Sequence, residues 1–366
     1  MAKCYLRVAF TILSVMPEFG EVEPLHPDNP VRCGKLLLHH AIAKVSEGTV
    51  PVNFIEMLIQ SNPKSLMHKD NDGYTPLHLA LQDSVCQLDV LELLLSGDTP
   101  ETNSLSIPDK YGFLPLHLAV RHNNCTVDVA ARMIEIYPKA AWTACQVGSI
   151  PLHWAVGKDA GRRKGAESAN LPLIKHLFDA FPDGGRTCCD NGWLPLHWCI
   201  NRSDVDMDVL AFLLDVYPVA VQLPVNDTGQ LPLHLLLSQD EPSYQAAEIL
   251  VNAYPRSTQI CDGDGYLPLH TALDSAAQDL DLVQLLLEVY PRSVREPTTN
   301  GWLPLHVALA SDGANETVIQ RLLNLYPEAA VVTVTDLIEL NSLTPVQQRH
   351  YREAALDAPG AIVVVE

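Results

Sequence analysis

The chain has 366 residues, of which 47% are apolar and 19% charged, and it carries a formal net charge of −20. Its length exceeds one ordinary compact domain, and its apolar content is too high for a disordered chain. So acidic a chain is repelled by phosphate backbones and by anionic membrane surfaces, which argues against nucleic acid and membranes as main partners.

Residues 1–16 set Lys3 and Arg7 around a short apolar run. Arg7 abuts that run and no small-residue cleavage site follows, so the segment reads as a capping helix and not as a secretory leader. Pro17, Pro24, Pro27 and Pro30, with acidic residues between them, make residues 1–30 a cap and linker. No apolar run reaches membrane-spanning length.

From residue 31 the sequence repeats itself. Pro-Leu-His occurs seven times, with histidines at His78, His117, His153, His197, His234, His270 and His306, and a degenerate LLHHA puts His39 in the same frame. Successive histidines are 36 to 44 residues apart, a period that signals a solenoid of stacked units. Each unit runs Gly, one variable residue, then a hydrophobic or Thr residue before Pro-Leu-His. A second apolar segment follows, usually closed by an aromatic residue and Pro, as in Tyr137-Pro138, Phe181-Pro182 and Tyr326-Pro327, with Asn62-Pro63 as a variant. Pro suits the first position of a helix, where no N–H is needed and its φ is already set. The aromatic-Pro pair stops the second helix, because Pro cannot continue it. The expected fold is an all-α repeat solenoid of about eight helix-turn-helix units over residues 31–350. A degraded last unit runs through Leu343 and Pro345, and residues 351–366 form a tail.

The pattern resembles the ankyrin repeat. Thr75-Pro76-Leu77-His78-Leu79-Ala80 after Asp70-Asn71-Asp72-Gly73 carries the resemblance most directly. It implies short hairpins joining stacked helix pairs, with hairpin tips and first helices lining a concave binding face for another protein. Two departures stand out. Leu114, Leu194, Leu231, Leu267 and Leu303, and Ile150, replace the family's Thr before Pro, which puts the usual Thr–His hydrogen bond in doubt. Losing a Thr cap costs about 1 kcal/mol, whereas burying a Leu contributes roughly 1.5–3 kcal/mol. The units are also longer than is usual for the family.

The residue after each Gly reads Tyr74, Phe113, Ser149, Trp193, Gln230, Tyr266 and Trp302; five of the seven are aromatic in a chain that is 6% aromatic. Tyr and Trp are favoured interface anchors, so Tyr74, Phe113, Trp193, Tyr266 and Trp302 are candidate partner-binding residues. The competing reading is that they staple neighbouring hairpins. A second candidate contact is the longest insertion, residues 157–170, with Arg162, Arg163 and Lys164 as a basic cluster; loop insertions in repeat arrays often serve contacts.

The histidines do not form a metal site by pattern, since stacked equivalents point alike and zinc needs convergent ligands at about 2 Å. Asp262-Gly263-Asp264-Gly265 lacks the remaining ligands of a calcium loop. No cofactor is implied. Nine irregularly spaced cysteines, an odd number without C-x-x-C, suit reduced thiols in cytosol or nucleus. The function expected is a non-catalytic, monomeric scaffold or adaptor whose acidic surroundings favour a basic partner segment. The alternatives are a thiol-dependent enzyme using His197 with nearby Cys188, Cys189 and Cys199, and a purely structural, self-associating protein.

Overall fold

Proline opens the first helix in seven of eight consecutive helix pairs of the computed structural model. The structure describes residues 36–46, 50–82, 88–97, 103–121, 126–157, 170–225, 228–275 and 278–331. The first four pairs are α1 (Leu37–Ser46) with α2 (Val52–Ser61), α3 (Pro76–Gln82) with α4 (Leu88–Ser96), α5 (Pro115–Arg121) with α6 (Val127–Ile136), and α7 (Pro151–Val156) with α8 (Leu171–Ala180). The next four are α9 (Pro195–Ile200) with α10 (Met207–Val216), α11 (Pro232–Leu237) with α12 (Tyr244–Ala253), α13 (Pro268–Asp274) with α14 (Leu280–Val289), and α15 (Pro304–Ala310) with α16 (Glu316–Leu325). There is no β-strand among the described residues.

Two compact units emerge. One holds the described residues up to Ala155 together with Asn170–Gly184; the other holds those from Gly185 onward with Val156 and Gly157. In the first unit, α3 packs against α1 and α5, while the second helices stack in the order α2, α4, α6, α8. In the second unit, α9, α11, α13 and α15 stack likewise, as do α10, α12, α14 and α16. The expected segments 1–30 and 351–366, and the degraded unit around Leu343, lie outside the described residues.

Each second helix is short and amphipathic. In α6 Val129, Ala130, Met133 and Ile134 turn inward at helical spacing. Caps are local: Thr126, Asn170, Asp206, Ser243, Asp279 and Asn315 each accept from a backbone N–H of the first turn. Asn315, which sits in a glycosylation-like triplet, also donates its Nδ2 to the Gln278 carbonyl, so its amide is already engaged.

The aromatic-Pro pair ends the second helix as expected. Tyr137, Phe181, Tyr217, Tyr254, Tyr290 and Tyr326 are its C-caps, each returning its N–H to a carbonyl of the last turn. The Pro then starts a 3-10 helix, for example Pro255–Gln259 and Pro291–Arg295. These added turns, together with the loops between paired helices, house the extra length of each repeat.

Candidate binding face

The site is built on the hairpins that precede the first helices. In each, a glycine takes a left-handed turn, with φ between 65° and 82°, and the chain folds back so that the residue before the tip pairs with the variable residue. The Asp70 N–H donates to the Tyr74 carbonyl, and the same bond recurs from Asp109 to Phe113, Cys189 to Trp193, Asp262 to Tyr266 and Thr298 to Trp302. Val225 pairs instead with Gln230; that hairpin closes over one more residue, which matches the 37-residue spacing of its repeat.

The repeated histidine ties this hairpin to the helix. Nδ1 of His39, His78, His117, His153, His197, His234, His270 and His306 accepts the backbone N–H three residues earlier, at 2.9–3.2 Å. This is the half of a capping box in which the third helical residue reaches back to the N-cap. Because it uses only backbone, it survives the change from Thr to Leu. At Thr75 the family-like contact is present too, with Oγ1 2.7 Å from His78 Nδ1. Elsewhere Leu114, Ile150, Leu194, Leu231, Leu267 and Leu303 are buried, between 1% and 5% exposed, so hydrophobic burial replaces the lost hydroxyl bond. The doubt raised by the sequence thus resolves: the Thr–His bond is dispensable.

With Nδ1 accepting, Nε2 carries the proton and donates to a carbonyl of the next repeat: His39 to Tyr74, His78 to Phe113, His117 to Ser149 and His234 to Tyr266, at 3.0–3.2 Å. His197 reaches Leu223 at 3.0 Å. Burial lowers the pKa of His39, His78, His117, His197 and His270 to about 4, against partial compensation from these backbone bonds. The imidazoles of His39, His78, His117 and His197 are therefore neutral struts between successive repeats.

The aromatic candidates stand beside these struts. Tyr74, Phe113, Trp193, Tyr266 and Trp302 are all half-buried. The first four lean on the histidine of their own repeat, with ring centroids 5.8–6.3 Å apart; Trp302 donates its backbone N–H to the Thr298 hydroxyl. Those four rings thus pack on their own histidines and also show part of their surface. Tyr74 and Phe113 belong to the first unit, and Trp193, Tyr266 and Trp302 to the second. Ser149 is buried and Gln230 half-buried in the same frame. Arg162, Arg163 and Lys164 lie outside the described residues.

Sequence reading missed further surface residues. Tyr111 and Val147, just before their glycines, are more than half exposed. Trp154 and Trp198 follow His153 and His197 on the first helices and are half-buried; their position after the repeated histidine was the available signal. Arg121, at the end of α5, stacks its guanidinium 4.9 Å from the Trp154 ring and 6.0 Å from Phe113.

The thiol–histidine pair is not assembled. Both nitrogens of His197 bond to backbone, and the Cys199 thiol is fully buried, its pKa pushed up to about 12 by that burial. A nucleophilic cysteine needs a lowered pKa and access. Asp262 spends one carboxylate oxygen on the N–H groups of Asp264 and Tyr266, which makes its Asp-Gly-Asp-Gly run a hairpin tip. Among the described residues no group of three or more ligating side chains could hold a metal, and no helix is long and apolar enough to cross a membrane.

A family model described as ankyrin repeats, in three copies, matches residues 38–166. Residues 38–166 are ankyrin repeats. No curated protein matches the chain. Among the described residues these repeats are all-helical, and the same histidine frame continues through His197, His234, His270 and His306 in the second unit. Ankyrin repeats are generally protein–protein interaction modules and are typically non-enzymatic.

Proposed function

We propose that this protein is a non-catalytic scaffold or adaptor that binds another protein through the faces that hairpins and first helices form within its units. The observation that carries the reading is the recurrence of a half-buried aromatic side chain at one position of the repeat, Tyr74, Phe113, Trp193, Tyr266 and Trp302. A ring held by a neighbouring histidine is already ordered, so little side-chain entropy remains to be lost on binding. In the second unit exposed acidic residues cluster from the ends of the first helices to the starts of the second, at Asp240, Glu241, Asp274, Asp279, Asp281, Asp312 and Glu316, and they favour basic segments in the partner. The insertion with Arg162, Arg163 and Lys164 is a secondary contact. The described cysteines are free, the adjacent Cys188 and Cys189 included, which suits a reduced compartment such as cytosol or nucleus.

The test is a quantitative pull-down with the intact chain beside a variant carrying Tyr74→Ala, Trp193→Ala, Tyr266→Ala and Trp302→Ala, with thermal melting of both. A partner retained by the intact chain and lost by a folded variant is the expected result. Equal capture by both baits would remove the aromatic residues from the site, and a variant that melts apart would make them staples.

A further inference from the structure

The four first helices of the first unit, α1, α3, α5 and α7, contain Lys44 and Arg121 and not one Asp or Glu. In a chain of net charge −20 that is a local reversal of sign. The nearest hairpin acids are already engaged. Asp70 and Asp109 are buried, each accepting two backbone N–H groups, and Asp72 is paired with Lys110 at 2.6 Å.

Arg121 is held in place by rings, not by a carboxylate. Its guanidinium lies 4.9 Å from the centroid of Trp154 and 6.0 Å from that of Phe113, and these two rings meet edge to face at 5.2 Å. Phe113 is in turn braced by His117 at 5.8 Å. Among the described residues Arg121 has no ion pair. Contact with aromatic rings uses none of a guanidinium's N–H groups as conventional hydrogen-bond donors, and its planar fork matches a carboxylate in a two-pronged hydrogen bond. The aromatic support lowers the entropy lost on forming it.

From these contacts we infer that Arg121, with Phe113 and Trp154, is a docking point for the carboxylate of an Asp or Glu side chain in a partner peptide. This rests on the reading of the hairpin and first-helix face as the binding surface, and adds a specificity to it. The sign of the face in the first unit selects acidic residues, opposite to the preference of the acidic second unit. The apolar rings around the guanidinium favour an acidic residue flanked by apolar ones.

The experiment is peptide selection from a random, unmodified 12-residue library on the intact chain, followed by affinity measurement of the winning peptides against variants. Selected peptides are expected to be enriched in Asp or Glu beside apolar residues. Their affinity should fall at least tenfold in Arg121→Gln and further in Arg121→Glu, with Arg121→Lys between wild type and Gln. Melting of each variant accompanies the binding data, and Arg121→Gln, which keeps most of the stem, serves if charge reversal unfolds the unit. Peptides without acidic enrichment, or bound equally by folded Arg121→Gln, overturn the inference. If such peptides still lose affinity in Tyr74→Ala or Trp193→Ala, the binding face stands and only Arg121 is excluded from it; no selectable peptide at all overturns both.

Discussion

Among the described hairpins, those rooted on an Asp and those rooted on a Cys make an instructive pair. Those rooted on Asp70, Asp109 and Asp262 use one carboxylate oxygen to accept two N–H groups, two and four residues on, at 2.8–3.0 Å. Those rooted on Cys145 and Cys189 have no such acceptor and close through backbone bonds alone. Both kinds place the glycine and the variable residue in the same frame, and in both the following histidine accepts the N–H before its Pro. The histidine strut is therefore the common support, and the acidic root an optional reinforcement.

Acid is the broadest challenge, because it attacks the struts of both kinds at once. The folded histidines titrate at about 4, below the ordinary 6.5. Above pH 6.5 neither state takes up protons; between 6.5 and about 4 only the unfolded chain does, so stability falls as pH falls. Each such histidine contributes a slope of about 1.4 kcal/mol per pH unit in that window. Thermal melting at pH 7.5 and 5.0 should therefore show a large drop, and coincident melting curves would mean that the imidazoles are not held neutral.

A single strut comes next. His117→Ala leaves the buried Leu114 N–H without its partner and takes one of two donors from the Ser149 carbonyl, which keeps the Cys145 N–H. At roughly 1–3 kcal/mol for an unsatisfied buried group, denaturant titration should register a loss of about 3 kcal/mol.

Glycine substitutions probe the tips. A Cβ on Gly112 would sit 2.8 Å from the Gln146 backbone nitrogen of the next hairpin at φ +80°, whereas one on Gly301, at φ +81°, would meet nothing within 4 Å among the described residues. Gly301→Ala should cost about 1 kcal/mol, from backbone conformation alone. Gly112→Ala should cost about 3 kcal/mol, since strain is joined by a clash with backbone. Equal melting temperatures would mean that the first-unit hairpins are not in tight register.

The mildest substitutions act on the roots directly. Asp109→Ala removes two bonds to a charged acceptor and should cost about 2 kcal/mol, and Cys145→Asp offers the Val147 and Ser149 N–H groups a similar acceptor and should add about 1 kcal/mol. A destabilised Cys145→Asp in calorimetry would show that the two hairpin kinds are not interchangeable.

The helical stack was legible in the sequence because Pro-Leu-His recurs in a fixed frame and each element announces its own start and stop. The effect of the Leu before Pro was not legible. The bond to the histidine that persists without the Thr hydroxyl comes from a backbone N–H, which every residue but proline has, so no side chain records it. The 3-10 helices after each aromatic-Pro pair were hidden for a similar reason: Pro marks where a helix ends and leaves the conformation of the next turn open. The aromatic row was visible as a pattern, yet its packing on the histidines depends on a hairpin folding back over its own helix. Arg121, Phe113 and Trp154 come from two successive repeats, so only stacking brings them together.

The strut has a direction. His39, His78, His117 and His234 each donate forward to a carbonyl at least 32 residues later, so through this bond each of these repeats is finished by its successor and not by its predecessor. On a ribosome the chain emerges from its N-terminus, and each newly exposed repeat of this kind therefore waits, with one imidazole proton still facing water, until the next hairpin has left the exit tunnel. Synthesis and hydrogen bonding run the same way, so the acceptor for each of these bonds becomes available in the order in which the repeats are made.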